Sequence, residues 1–222
     1  FSNSAVKILH LPSTLRKLGQ NAFYYFSGIT ELDVPSTVEL CEENCFNASL
    51  LSTIRMNSES APEVSSVTLG SDKKKIIVPD GSLHAYRVAK GWGAFVIETV
   101  NPVTVTVTNE EPGELAKRVT DAAGYVQEVN HLTVKGKMGN SDWETLKSMT
   151  NLTQVNLADA VATELPNGQF QEKWAIDRIV LPNILAIISD NAFYECGIKS
   201  ITLPEDLQII RYMAFGSCNN LE

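Results

Sequence analysis

Aliphatic positions recur along this chain at fixed distances from four prolines, Pro12, Pro35, Pro182 and Pro204. Six positions before the proline stand Val6, Ile29, Ile176 and Ile198; three before, Leu9, Leu32, Ile179 and Ile201; one before, Leu11, Val34, Leu181 and Leu203. After it, Leu15, Val38, Leu185 and Leu207 fall three positions on, and Leu18, Cys41, Ile188 and Ile210 six on. Ala22, Cys45, Ala192 and Ala214 come ten on, each followed at once by Phe23, Phe46, Phe193 or Phe215. Large, small and aromatic slots keep their size from copy to copy. Such a frame predicts an α/β repeat solenoid of 22–24-residue leucine-rich repeats, each able to bury its apolar face only by stacking on its neighbours.

The slots three and one before the proline alternate with polar residues, as a short strand with one face on a core requires. Strands of successive repeats then pair in parallel into a ladder. Proline has no amide hydrogen for that ladder and fixes its own φ, so it ends the strand at one place in every repeat. The chain is expected to return on the opposite side through a short turn or short helix, carrying Gln20-Asn21-Ala22-Phe23 or Asp190-Asn191-Ala192-Phe193. The phenylalanines point inward and stack into a column.

Weaker copies fill much of the remainder. Leu51, Ile54 and Met56 repeat the strand slots with Asn57 in place of proline, and Ile76 and Val78 precede Pro79. Leu132 and Val134, then Leu152, Val155 and Leu157, give two more strands, the second with no proline after it. One strand slot thus returns at near-constant spacing through Leu9, Leu32, Ile54 and Ile76, and again through Leu132, Val155, Ile179 and Ile201, so two arrays of about four repeats are expected. We place the first at 1–100 with a C-terminal helical cap, and the second at 101–222 with an N-terminal strand and helix. The boundary falls near Glu98 to Pro102.

Where the period fails, the residues read as caps. Ser82 is placed to N-cap a helix through Leu83 and Tyr86 that Gly91 ends, after which Trp92 and Phe95 cover the first core. Val103 to Thr108 alternates as a strand, and Gly113 to Ala123 reads as a helix closed by Gly124. Ser141 and Glu144 have capping-box spacing, which predicts a further helix through Trp143, Leu146 and Met149.

The proline and Ala-Phe frame, together with Ile76-Ile-Val-Pro-Asp-Gly-Ser-Leu-His-Ala-Tyr86 and Trp92, resembles the BspA-like leucine-rich repeat proteins of bacterial cell surfaces. The resemblance covers nearly the whole chain. It implies a non-enzymatic, secreted or surface-anchored protein that binds host proteins or other cells, with an extracellular or cell-surface location. No ligand-reading residue of the family carries over to a numbered position.

Composition and charge narrow the partners. Apolar residues make up 44% and charged residues 20%, ordinary globular values, and no apolar run approaches the length of a membrane span. Residues 1–100 hold 9 basic and 10 acidic side chains (net −1) and 101–222 hold 9 and 16 (net −7), together the −8 of the whole chain. That balance argues against nucleic acid, which needs clustered Lys and Arg. The one basic run, Lys73-Lys74-Lys75, reads as a solvated loop before the strand at Ile76.

Reactive constellations are few. Cys41 and Cys45 have metal-pair spacing but occupy core slots, and no second pair completes a set of four ligands. Cys196 and Cys218 take one and the same slot after Pro182 and Pro204, the slot that Phe26 and Ser49 take after Pro12 and Pro35, so they are expected on neighbouring repeats, bridged or as free thiols. His10 and His131 fall on outward strand slots and His84 on the cap helix, without a triad-like partner. Glu42-Glu43 and Glu110-Glu111 are expected to diverge on turns and share no cleft. Neither a catalytic residue, a metal ligand nor a cofactor is predicted.

Partner binding is therefore assigned to the outward side chains of the ladder, the alternative being a structural spacer within a larger surface protein with no ligand on the ladder. The outward side chains are His10, Asp33 and Arg55 in the first array, flanked by Glu31 and Thr53, and Thr133, Asn156 and Thr202 in the second, flanked by His131, Gln154, Arg178 and Ser200. A polar, mixed-charge row suits protein or glycan contacts better than a small-molecule pocket. Phe1 stands one period before Phe23, and Leu221 one period after Ile198, so both ends fall inside a repeat. The chain reads as a stretch of a longer repeat protein, open to end-to-end association.

Overall fold

The computed structural model describes residues 8–48, 50–66, 69–70 and 73–222; Phe1, Val6 and Ser49, to which repeat slots were assigned, lie outside them. The chain divides into two compact units, 1–101 and 102–222.

In the first unit the strands are β1 (Lys17–Leu18), β2 (Glu31–Val34), β3 (Leu40–Cys41), β4 (Thr53–Met56), β5 (Glu63–Val64), β6 (Lys75–Val78) and β7 (Val96–Thr99), with helix α1 (Leu83–Val88) before the last. They form two parallel ladders, β2-β4-β6-β7 and β1-β3-β5. In the longer one Leu32, Ile54, Ile76 and Ile97 stand in line and are all buried, because alternation turns one side of each strand to the core. Pro35 and Pro79 directly follow β2 and β6, whereas Asn57 after β4 still donates its amide to the Val34 carbonyl (3.0 Å).

Two features differ from expectation. The return path has the expected short turn at residues 20–25, but ahead of it runs a second ladder that was not expected, in which the Glu39 and Leu40 amides both donate to the Arg16 carbonyl (2.8 and 3.3 Å) and Glu42 to that of Leu18 (2.9 Å). The turn that follows places Asn21 and Asn44 in the left-handed region (φ 54° and 55°), which asparagine tolerates better than most residues. The second difference is β7, whose four residues are all buried and which completes the longer ladder after α1.

Ser82 takes the position before α1 but its side chain caps nothing, and Gly91 adopts φ 82° beyond the helix. Trp92 is fully buried, with its ring 5.2 Å from Tyr86, 6.1 Å from Phe46 and 6.4 Å from Phe95, and its Nε1 donates to the Pro62 carbonyl (2.9 Å). The lysine run is not a solvated loop. Lys74 is buried and donates to the carbonyls of Ala48 (3.1 Å) and Leu51 (2.8 Å), while Lys75 opens β6.

The second unit contains β8 (Thr104–Asn109), α2 (Leu115–Ala123), β9 (His131–Lys137), α3 (Asn140–Ser148), β10 (Gln154–Asn156), β11 (Ala160–Val161), β12 (Glu164–Leu165), β13 (Arg178–Val180), β14 (Ile187–Ile188) and β15 (Ile209–Ile210). One parallel ladder runs β8-β9-β10-β13, with β11 on the far end of β9, and the other runs β12-β14-β15. Behind them Phe193 stacks between Phe170 (5.6 Å, 13°) and Phe215 (5.0 Å, 8°), the column the sequence predicts.

Helix α3 begins earlier than the capping box predicts. Asp142, not Ser141 or Glu144, does the capping: its Oδ2 accepts the amides of Gly139 (2.8 Å) and Gly113 (2.7 Å) and its Oδ1 that of Leu115 (2.9 Å). A carboxylate receives three amide donors here, so one buried side chain ties the start of α2 to that of α3.

The strand slots of the outermost repeats are not filled. Residues 8–11 form no strand, and of the segment around Ile201 only Ser200 bridges, to Arg178. In that last repeat Leu203, Ile209, Ile210 and Met213 are exposed: Ile210 is 48% exposed where its counterpart Ile188 is 0%. Without burial on one face, little holds the register of such a strand.

Candidate functional site

Strand alternation sends every second side chain of the longer ladder outward, and the parallel register lines these side chains into rows. In the first unit one row is Glu31, Thr53 and Lys75, continued by the buried Val96, and the next is Asp33, Arg55 and Ile77, continued by the buried Glu98. The charges in them face one another. Arg55 stands with Nη2 3.8 Å from Glu31 and Nε 4.0 Å from Asp33, and the Lys75 Nζ lies 3.2 Å from Oε2 of Glu98. Asp33 and Arg55, both assigned to partner binding, are thus each other's neighbours. His10, assigned likewise, is exposed and outside any strand. Lys75 and Glu98 were missed because their pairing depends on β7.

In the second unit the rows are Thr104, His131, Gln154, Arg178 and Ser200, and Thr106, Thr133, Asn156 and Val180. An open depression of about 240 Å³ is lined by both rows and gathers three assigned residues, Thr133, Asn156 and Arg178. A second, of about 500 Å³, brings Arg178 together with Thr202, the fourth assigned residue, and with Lys199 and Ser200. Thr104 Oγ1 lies 3.4 Å from His131 Nδ1, and Asn156 Oδ1 accepts the Ala158 amide (3.0 Å). Among the described residues no carboxylate pairs with Arg178 or with Lys199, in contrast to Arg55 and Lys75. Hydroxyls, amides and a guanidinium without an acid beside it can hydrogen-bond and attract an anion.

The cysteines lie inside the repeats. Cys41 and Cys45 are buried, and a hydrogen bond with its neighbour Cys41 together with burial pushes the Cys45 thiol far up. Cys196 and Cys218 are free thiols; burial pushes Cys196 up to about 11, and the Cys218 Sγ donates to the Phe193 carbonyl (2.9 Å). Among the described residues no cluster of His, Cys, Asp or Glu is arranged to hold a metal ion. Glu42 and Glu43 do not diverge: both reach Gln20, Glu42 at its amide (3.0 Å) and Glu43 at its side chain (3.1 Å).

Parallel ladders that repeat with the period of the sequence frame, each repeat buried only against its neighbours, define a leucine-rich repeat protein. The chain belongs to the BspA type leucine-rich repeat family, whose model matches residues 1–79 and 123–222. A comparison with curated proteins finds no match. Among the described residues no helix is long and apolar enough to cross a membrane.

Proposed function

We propose that this chain is a binding module of a secreted or cell-surface protein, built of two leucine-rich repeat arrays, that holds a protein or glycan on a ladder face. The observation that carries this reading is the pair of outward rows in the second unit, where Thr133, Asn156 and Arg178 line one depression. The surface is broad, polar and shallow, which fits extended ligands better than a small metabolite. The family supports a scaffold rather than an enzyme, and an extracellular or surface location.

A second reading, a structural spacer, is favoured by the first unit. There the Arg55 and Lys75 charges are matched by Glu31, Asp33 and Glu98 of the same ladder, leaving little for a partner. A binding screen of the purified chain against extracellular-matrix proteins and glycans, repeated with Arg55→Ala and Arg178→Ala, separates the two. Binding that Arg178→Ala weakens supports the module; binding indifferent to ladder changes removes the site from this face, and no binding at all favours the spacer.

A further inference from the structure

The second unit carries a net charge of −7 (9 basic and 16 acidic side chains in 101–222), yet its ladder face gathers positive charge. Ladder cations elsewhere have acids beside them: Arg55 has Glu31 and Asp33, Lys75 has Glu98, and Lys135 has Asp159 at 3.4 Å. Among the described residues Arg178 and Lys199 have none within ion-pair distance, and both are exposed. Arg178 lines both depressions; the first contains no carboxylate, and the second contains Asp177 against Arg178 and Lys199.

Resting on the reading of the ladder as a binding face, we infer that it takes a carboxylate-bearing polysaccharide, with a uronate group on Arg178. The guanidinium offers a planar fork that a carboxylate fills with two parallel hydrogen bonds, and Lys199 adds a second positive charge beside it. Around the fork stand Gln154, Asn156, Ser200 and Thr202, amides and hydroxyls of the kind that bond sugar hydroxyls. No aromatic ring lines either depression, and the aliphatic side chains that do, Val180 and Ile201 among them, are at most half-exposed, which leaves no aromatic anchor of the kind that protein interfaces centre on. The row Thr104, His131, Gln154, Arg178 and Ser200 crosses five neighbouring segments at about 4.8 Å each, long enough for an extended chain of several sugars.

The test is titration of the full 222-residue chain with polygalacturonate, its methyl-esterified form, neutral dextran, chondroitin sulfate and poly-glutamate, at low and moderate salt. Polygalacturonate binds and weakens with salt, the methyl ester and dextran do not bind, and Arg178→Ala lowers affinity roughly ten- to a hundredfold, the loss of one charge-assisted pair. Arg178→Lys falls between, and Lys117→Ala, an exposed cation on α2 away from the ladder rows, leaves binding unchanged. Equal binding of the methyl ester, preference for poly-glutamate or for sulfate, or polygalacturonate binding indifferent to Arg178→Ala overturns the inference. Loss of some other ligand on substitution of Thr133 or Asn156, with polygalacturonate inert, overturns it while leaving the ladder a binding face.

Discussion

Phe193 lies nearly parallel to Phe215, with ring centroids 5.0 Å apart and 8° between their planes. Phe193 also stacks on Phe170, so it touches aromatic rings in both neighbouring repeats, while Phe215 has one such neighbour and is only half-buried. Phe193→Ala should therefore cost about 3–5 kcal/mol, in the range of a buried aromatic truncation, and Phe215→Ala clearly less. Urea melts followed by circular dichroism check this; equal costs would show that the column is not continuous.

Asp142 accepts three backbone amides, so Asp142→Ala leaves three donors near α2 and α3 without their acceptor. The loss should be on the order of 3 kcal/mol, and Asp142→Asn should recover only part of it because one carboxylate oxygen becomes a donor. Ser141→Ala, at the position that the S-x-x-E spacing favours, should change the melt by well under about 0.5 kcal/mol.

The same turn slot holds Asn21, Asn44, Asn191 and Met213, with φ of 54°, 55°, 54° and 47°. Methionine gains nothing from the left-handed region, whereas asparagine tolerates it at lower cost. Met213→Asn should raise stability by roughly 0.5–1 kcal/mol, read as a higher urea midpoint at unchanged slope.

Burial raises the Cys196 pKa from 9.0 to about 11. A raised folded pKa means that the fold binds the proton more tightly than the unfolded chain. The contribution is thus complete below about pH 9 and is lost as pH climbs through about 11. The thermal midpoint should fall across that window, less steeply in Cys196→Ala, and iodoacetamide should label the folded thiol slowly at about pH 8. An intact mass unchanged by reduction checks that Cys196 and Cys218 are unbridged.

The repeat frame was legible because each slot recurs at a fixed distance from a proline: the line of Leu32, Ile54 and Ile76 and the stack of Phe193 on Phe215 follow from counting. The second ladder was not, since a two-residue strand such as Leu40–Cys41 has no room for alternation and is held by backbone bonds that leave no trace in side-chain pattern. β7 escaped for another reason. Its residues, Val96 to Thr99, are buried on both faces and follow a helix, so neither alternation nor a closing proline marks them. Asp142 bonds to Gly113 and Leu115 from 29 and 27 residues away, a relation no local spacing encodes. Of the site, the outward rows were readable from period two; which charges cancel was not, because Glu98 reaches Lys75 only through β7.

On β10, Val155 is buried and its successor Asn156 is exposed, and the same division holds on every strand of the longer ladders that alternates. The inward set decides whether the repeat stands, and the outward set decides what it touches. Because the two sets share no side chain, the exposed residue of a rung is open to exchange one at a time without disturbing the frame, so one scaffold can present many different surfaces.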